Sequence, residues 1–453
     1  MKSKSVNTVE MCSGSLFLNI LKFAFPFMLT TMLQKLYNVA DVVVVGRYAG
    51  REALAGVGTT TSLTTLLLNM FVGLSVGASV TLGRAMGAKN NEYADKIIHT
   101  AIKLCIIGGL FVSAIGVFFA EPLLNMIAVP ESVMPQAKAY MQILFSGQTF
   151  SLIYNFGSAI LRTKGDTKRP LYIVTASGII NVVLNLVFVI CFKMQAGGVA
   201  LATVISQIFT AVLILRVLCT EQDGLKLDFK KLKFDKTALL DIIKIGIPSG
   251  AQSSIFSVAN IIIQSSVNSF GAAAIAGSAA ATNISTFYNL ALNSMYQASV
   301  VFVSRNYGAK LYKRIKKVVI VCSIYACAIW AIEALITIFW GEAMISLFAP
   351  GDFEAIRLGT MRLMIVGVAC GVCGLMNVMT GALRGLGKST ATMFVSIAGV
   401  CGIRILWIFT VFRAIRTIEV LFVSLPLSWI GTFIMQATMF GYFYKKELKK
   451  NPS

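Results

Sequence analysis

The chain has a single histidine, His99, and only 13% of its 453 residues are charged, about half the share of ordinary soluble domains. One histidine cannot supply the paired imidazoles of many zinc sites; lying at a helix end, His99 is read as neither ligand nor base. So little charge leaves too little polar surface to cover a soluble core of this size, a requirement that lipid removes. The nine cysteines are scattered, mostly in apolar stretches, as small buried hydrophobes rather than a disulfide framework. Cys370 and Cys373 form a CxxC with no second pair at metal spacing, so no metal or redox role is read from them. The Gly165-Asp166-Thr167-Lys168-Arg169-Pro170 turn is no P-loop, lacking the strand, Gly-rich loop and Lys–Ser/Thr pattern. With no nucleotide-binding domain, an ATP-driven pump is excluded unless a separate subunit supplies the motor. No His, Asp, Glu or Cys residues converge at helix ends, so an enzyme is not expected, and no cofactor is called for.

What the chain does have is apolar sequence. Hydrophobic residues make up 57%, in recurring runs long enough to cross a bilayer. Twelve spans read approximately as 16–45, 52–80, 94–119, 134–161, 170–192, 196–218, 239–267, 273–303, 316–340, 356–383, 389–412 and 417–444. The first is too long for a signal-peptide core. The fold class is therefore an all-α polytopic membrane protein in contact with membrane lipid.

The formal charge of +21 sits in short loops, without the aromatic-interleaved basic domain of a nucleic-acid binder. Both termini and the loops after even-numbered spans carry about 27 Lys and Arg, the other loops about 8. Both termini are therefore expected in the cytoplasm and the chain in the plasma membrane. The longest polar stretch, 221–237, reads as a cytoplasmic linker between lobes of residues 1–220 and 238–453.

Four landmarks recur at an offset of about 221–222 residues. Pro26 matches Pro248; Ala53-Leu54-Ala55-Gly56 matches Ala274-Ile275-Ala276-Gly277. Arg84, Gly87, Ala88 and Lys89 match Arg305, Gly308, Ala309 and Lys310. Leu161, Arg162 and Gly165 match Leu383, Arg384 and Gly387. Both halves hold six spans and begin on the same side, which predicts parallel repeats: two six-helix lobes related by a pseudo-two-fold axis along the membrane normal, with a cleft between.

An ionisable side chain inside a span costs roughly 2.5–3.5 kcal/mol on insertion scales, so each one needs a reason. Gln34, Asn38 and Asp41 form one polar stripe on the first span, with Tyr37 a turn before Asp41. Asn181 and Asn185 share a face of the fifth span, and Thr203 lies a few residues past the Gly197-Gly198 start of the sixth. Counted from the span ends, Asp41, Asn185 and Thr203 fall at similar depth, in the outer half of the first lobe. A carboxylate among amide and hydroxyl oxygens suits a proton or a small hard cation; a hydrogen-bonded network gluing three helices is the alternative. The second half has polar but neutral stripes. Candidate substrate-cleft residues are Gln34, Asn38, Asn155, Gln252, Phe256, Asn260, Gln264, Asn289 and Asn293. Glu333 and Arg404 fall at matching depth and are expected as an ion pair. Lys35 is deep and takes no assigned role. Gly73 and Gly77, and Gly367 and Gly371, form GxxxG patterns that imply close helix contact.

Pro26 with Leu36-Tyr37-Asn38-Val39-Ala40-Asp41, Val45-Gly46-Arg47 and Ala53-Leu54-Ala55-Gly56 resembles the opening of the multidrug and toxic compound extrusion (MATE) transporters. Gly83–Gly87, Leu161-Arg162 with Gly165–Pro170, and Gly197-Gly198-Val199-Ala200-Leu201-Ala202-Thr203 continue the match, in order, over nearly the whole chain. The resemblance implies secondary active export of cationic, amphipathic compounds driven by inward H⁺ or Na⁺. It implies a coupling site at Asp41, Tyr37, Asn181 and Thr203. Many prokaryotic members carry a second aspartate where this chain has Asn185, so one carboxylate remains. The acidic positions some members use around Phe256 are neutral here.

These readings give an antiporter, expected as a monomer with a small organic substrate, working by alternating access with Pro26 bending the first span. A flippase for lipid-linked precursors is the alternative, kept open by Lys35 and Arg404. With one carboxylate, one-for-one exchange of a monovalent cation moves no net charge.

Overall fold

The computed structural model describes residues 8–221 and 224–450, without the side chains at 62 and 66. Residues 222 and 223 of the expected linker lie outside the described residues. Everything regular is helical, as a chain crossing lipid must be if each backbone N–H and C=O is to find a partner within its own segment. No strand occurs among the described residues.

Among the described residues twelve long helical segments follow in chain order, besides the short helices Ala120–Met126 and Phe229–Lys231. In the first repeat α1 is Leu16–Tyr48, α2 Arg51–Gly87 and α3 Asn91–Phe118. Segment α4 joins Met134–Ser146 to Gln148–Lys164 across Gly147, α5 is Lys168–Leu186, and α6 is Gln195–Cys219. In the second repeat α7 is Lys236–Asn268, α8 Ala272–Gly308 and α9 Tyr312–Ser346. Segment α10 joins Phe353–Val368 to Cys370–Gly385, α11 is Ser389–Phe412, and α12 is Ile418–Lys450. Among the described residues eight helices are long and apolar enough to cross a membrane, and α10, bent by 43°, makes a ninth. Segment α4 is made of two helices of 13 and 17 residues, each too short to be counted alone, and α7 and α8 are long enough but carry many of the polar residues singled out above. Phe111, Phe118, Phe192, Phe339, Phe394 and Phe409 are exposed, an outer surface suited to lipid rather than water.

The repeat is written into the backbone. Gly50 and Gly271 precede α2 and α8 with φ of 90° and 93°, and Lys89 and Lys310 follow those helices, both at φ 57°. Such left-handed positions are rare for a side-chain-bearing residue, so a matched lysine pair is a strong mark of common architecture. The first repeat's α5 runs on into a π-helical turn at Val187–Cys191, and α11 has two such turns, at Ile397–Gly402 and Ile408–Phe412.

Contacts divide the described chain into two units, Met1–Val9 with Leu29–Gly250, and Glu10–Met28 with Ala251–Ser453. Two of the three dividing points fall inside a helix, two residues beyond its internal proline, Pro26 in α1 and Pro248 in α7; the third, between Val9 and Glu10, precedes α1. Proline removes one backbone donor and clashes with the preceding turn, so it marks where a helix bends at least cost.

In the first unit, glycines let helices close up. A Cβ at Gly73 or Gly77 would run into the α7 backbone at Gly246, so that GxxxG is a backbone-to-backbone contact. Gly367 and Gly371 face the Thr337 and Trp330 side chains of α9 instead. Trp330 donates its indole N–H to the Val368 carbonyl at 2.7 Å, satisfying an acceptor at the α10 bend. His99 is buried, its Nε2 accepting the Asp228 N–H at 3.1 Å, and Thr100 accepts the Asp235 N–H at 3.1 Å. With Leu225 and Leu227 buried as well, the segment after α6 is strapped onto α3. At the 165–170 turn, Asp166 accepts the N–H groups of Lys168 and Arg169, and Arg169 pairs with Glu221. It is a structural turn.

Candidate functional site

Three helices of the first unit bring Asp41, Asn181, Asn185 and Thr203 into one hydrogen-bonded chain. Asn185, fully buried on α5, donates its amide to the Asp41 carboxylate on α1. The same amide reaches the Asn181 carbonyl oxygen at 3.2 Å. Asn181 donates to the Thr203 hydroxyl of α6 at 3.4 Å, and Thr203 reaches the Val199 carbonyl at 2.9 Å. The i to i+4 spacing of the two asparagines puts both on the face of α5 that meets α1 and α6.

The Asn185 side-chain oxygen is buried and has no partner among the described residues. While Asp41 is ionised, Asn185 must point its N–H groups at the carboxylate, which leaves that oxygen stranded. A buried acceptor without a donor costs about 1–3 kcal/mol.

Asp41, Asn181 and Thr203 line a cavity of about 320 Å³. Tyr37, Gln34, Asn38 and Asn155 line it too; Lys35 does not. Tyr37 donates to the Thr175 carbonyl at 3.4 Å, and its ring lies where a Cβ on Gly178 would be. Sequence reasoning passes over Gly178, although it sits one turn before Asn181. It also passes over Tyr154, Ser177 and Gln207, lining residues scattered among apolar neighbours with no stripe to mark them.

The remaining cleft candidates lie in the second unit. Phe256, Asn260, Gln264 and Asn289 line a cavity of about 460 Å³. Gln252 is buried and accepts from Arg384 at 2.8 Å, and Asn293 lines neither cavity. The expected Glu333–Arg404 pair does not form. Arg404 donates instead to Ser428 and to Asn260, each at 3.0 Å. Glu333 is buried with its Oε2 unpartnered among the described residues. Equal depth along two helices does not make their faces meet. Arg362 joins Arg404 in this cavity; sequence reasoning passes over it, since it lies near the start of the 356–383 span.

The MatE family model matches the chain twice, over residues 26–187 and 248–410. The two matches thus begin at Pro26 and Pro248. Probable multidrug resistance protein YoeA of Bacillus subtilis is 25% identical over 434 residues, spanning 94% of this chain and 93% of that protein. A FAD transporter of Shewanella oneidensis is 22% identical over 387 residues, 83% of this chain and 84% of that one. Among solved structures, a MATE crystal structure in the bent conformation gives a TM-score of 0.91 at 20% identity, covering 99% of this chain and all of its own.

Proposed function

The chain belongs to the MatE family of multidrug and toxic compound efflux transporters, and from that membership we propose that it is a secondary active antiporter exporting cationic or amphipathic drugs or metabolites in exchange for H⁺ or Na⁺. It is a multi-pass membrane transporter rather than an enzyme. The observation that carries the coupling reading is the Asp41–Asn185 hydrogen bond beside a stranded Asn185 oxygen.

A proton on Asp41 turns the carboxyl into a donor, and Asn185 can then turn its oxygen to meet it. Na⁺ would be met by oxygens of Asp41, Asn181, Asn185 and Thr203, a hard-ligand set. Either ion relieves the stranded acceptor and changes how α1 packs on α5 and α6, with Pro26 as the place where α1 yields. Cargo and ion that favour different packings of α1 are the minimum for coupling. In this reading residues 1–220 and 238–453 act as two lobes in alternating access, joined by 221–237, in a monomer of the plasma membrane.

A second reading, a flippase for lipid-linked precursors, is favoured by Arg362 and Arg404 in the second cavity. Counterflow in proteoliposomes under an imposed pH or Na⁺ gradient tests the first reading. Cargo efflux that ignores both gradients would end it. Cytoplasmic termini follow from the loop charges: Lys230→Cys in a cysteine-free background should resist an impermeant thiol reagent applied to intact cells, and ready labelling would reverse the orientation.

A further inference from the structure

The cavity of the second unit has a wall of one charge sign. Arg362 and Arg404 line it, and no Asp or Glu does. Arg404 is only 4% exposed and donates to two neutral oxygens, Ser428 Oγ and Asn260 Oδ1. Arg362 makes one long bond, 3.4 Å to the Ser278 carbonyl, and lies over the Phe422 ring at 5.3 Å. Neither forms an ion pair among the described residues. A guanidinium has five N–H donors in a planar fork, so most of this donor capacity is uncommitted.

A charge held inside a membrane protein for structure alone is expected to be paired. The second unit has a buried carboxyl to offer, Glu333, and leaves it unpartnered elsewhere. The unit keeps both arginines free of it. The remaining wall is that of a ligand pocket: Phe256 and Trp429 supply apolar and aromatic surface, and Gln264 and Asn377 add neutral polar groups. A volume of about 460 Å³ is in the range of small-molecule sites.

We propose that this cavity binds the anionic group of a phosphate- or carboxylate-bearing amphiphile, with Arg362 and Arg404 as its ligands and Phe256 and Trp429 packing its apolar body. Arginine's fork matches the two oxygens of either group, and the bond is charge-assisted on both sides. The inference rests on the transport reading for the route the cargo takes, and on the cavity alone for its charge. The same chemistry is offered by a soluble phosphorylated metabolite and by a phospholipid headgroup.

The test uses the full chain in phosphatidylcholine nanodiscs, with 4-methylumbelliferyl phosphate, the uncharged ether 7-methoxy-4-methylcoumarin and tetraethylammonium as probes. The phosphate ester should bind about tenfold or more tighter than the ether, the worth of one charge-assisted hydrogen bond. Arg362→Gln and Arg404→Gln should each remove that advantage, and Arg362→Lys should restore part of it. Arg404→Gln loses bonds to Asn260 and Ser428 and can fail to fold, but Arg362→Gln loses only a long one. Loss of the wild-type preference with rising salt gives a further measure that needs no variant. Displacement of the ester by phosphatidylglycerol in the disc would assign the site to a lipid headgroup; its persistence would assign it to a soluble anion. The proposal is overturned if neither anion binds in a way that Arg362→Gln weakens, or if tetraethylammonium binds as tightly as the ester. Asp41→Asn separates the two readings, since it bears on gradient-driven efflux and not on anion binding at the arginines.

Discussion

Asn185 donates its amide to the Asp41 carboxylate across 144 residues of sequence, tying α1 to α5 beside the first cavity, where Tyr37 of α1 also donates to the Thr175 carbonyl of α5. The chain therefore has an order of importance. Asp41→Asn should abolish gradient-driven efflux while the protein still folds, because the amide keeps the shape and loses the titratable group. Asn185→Ala, which strips the carboxylate of its direct partner, should come next. Asn181→Ala should weaken efflux least, since Asn181 bonds Asn185 and Thr203. Initial efflux rates in proteoliposomes under one fixed gradient rank the three. Full active efflux by Asp41→Asn would refute the coupling role.

Gly178 and Tyr37 share one volume. A Cβ on Gly178 would sit in the Tyr37 ring, so Gly178→Ala must push α1 and α5 apart or turn the tyrosine out. Overpacking of this kind costs typically 1–3 kcal/mol. Thermal unfolding in detergent should show the loss, and Tyr37→Ala in the same chain should recover most of it. A double variant no more stable than Gly178→Ala alone would mean that the ring is not what the methyl meets.

Glu333 and Arg404 sit in the same unit without meeting. Their substitutions, Glu333→Gln and Arg404→Gln, should therefore add in their effect on stability to within about 0.5 kcal/mol. A direct ion pair would show as a coupling well above that in the double-mutant cycle. Thermal melts of the two single variants and the double variant decide between them.

The features readable in the sequence were those that follow from periodicity. The repeat showed in matched residues and reappears as matched backbone, with Lys89 and Lys310 at the same φ. The Asp41, Asn181 and Asn185 stripes were legible because polar residues on a helix buried in lipid stand out at spacings of three and four. Which faces meet was not legible. Glu333 and Arg404 agree in depth, but depth says nothing about rotation about the helix axis. Gln252 was a cleft candidate, yet its partner Arg384 makes it part of a buried structural contact. Arg362 was masked by its place near a helix end, where a basic residue ordinarily reaches for the interface.

Membrane potential offers a reading of the cargo's charge that needs no knowledge of its identity. Moving one elementary charge through 100 mV is worth about 2.3 kcal/mol. When a monovalent cation leaves as one proton enters, no net charge crosses, and the potential does no work. When a monoanion leaves as one proton enters, two charges move in the same electrical sense, and 100 mV contributes about 4.6 kcal/mol. The Asp41 cavity provides one carboxylate, so the ion count is held at one and the cargo's charge is the variable. In proteoliposomes with a potassium gradient and valinomycin, an interior-negative potential should leave efflux of tetraethylammonium nearly unchanged. The same potential should drive accumulation of an exported 4-methylumbelliferyl phosphate outside, by a factor that grows steeply with voltage. In Arg362→Gln the anion's efflux should fall at every voltage, because the cargo is no longer held. If the cation's efflux instead responds strongly to potential, a second charge must move with the first. Glu333, buried and unpartnered in the second unit, is then the group to replace, and Glu333→Gln should return the cation's transport to voltage independence.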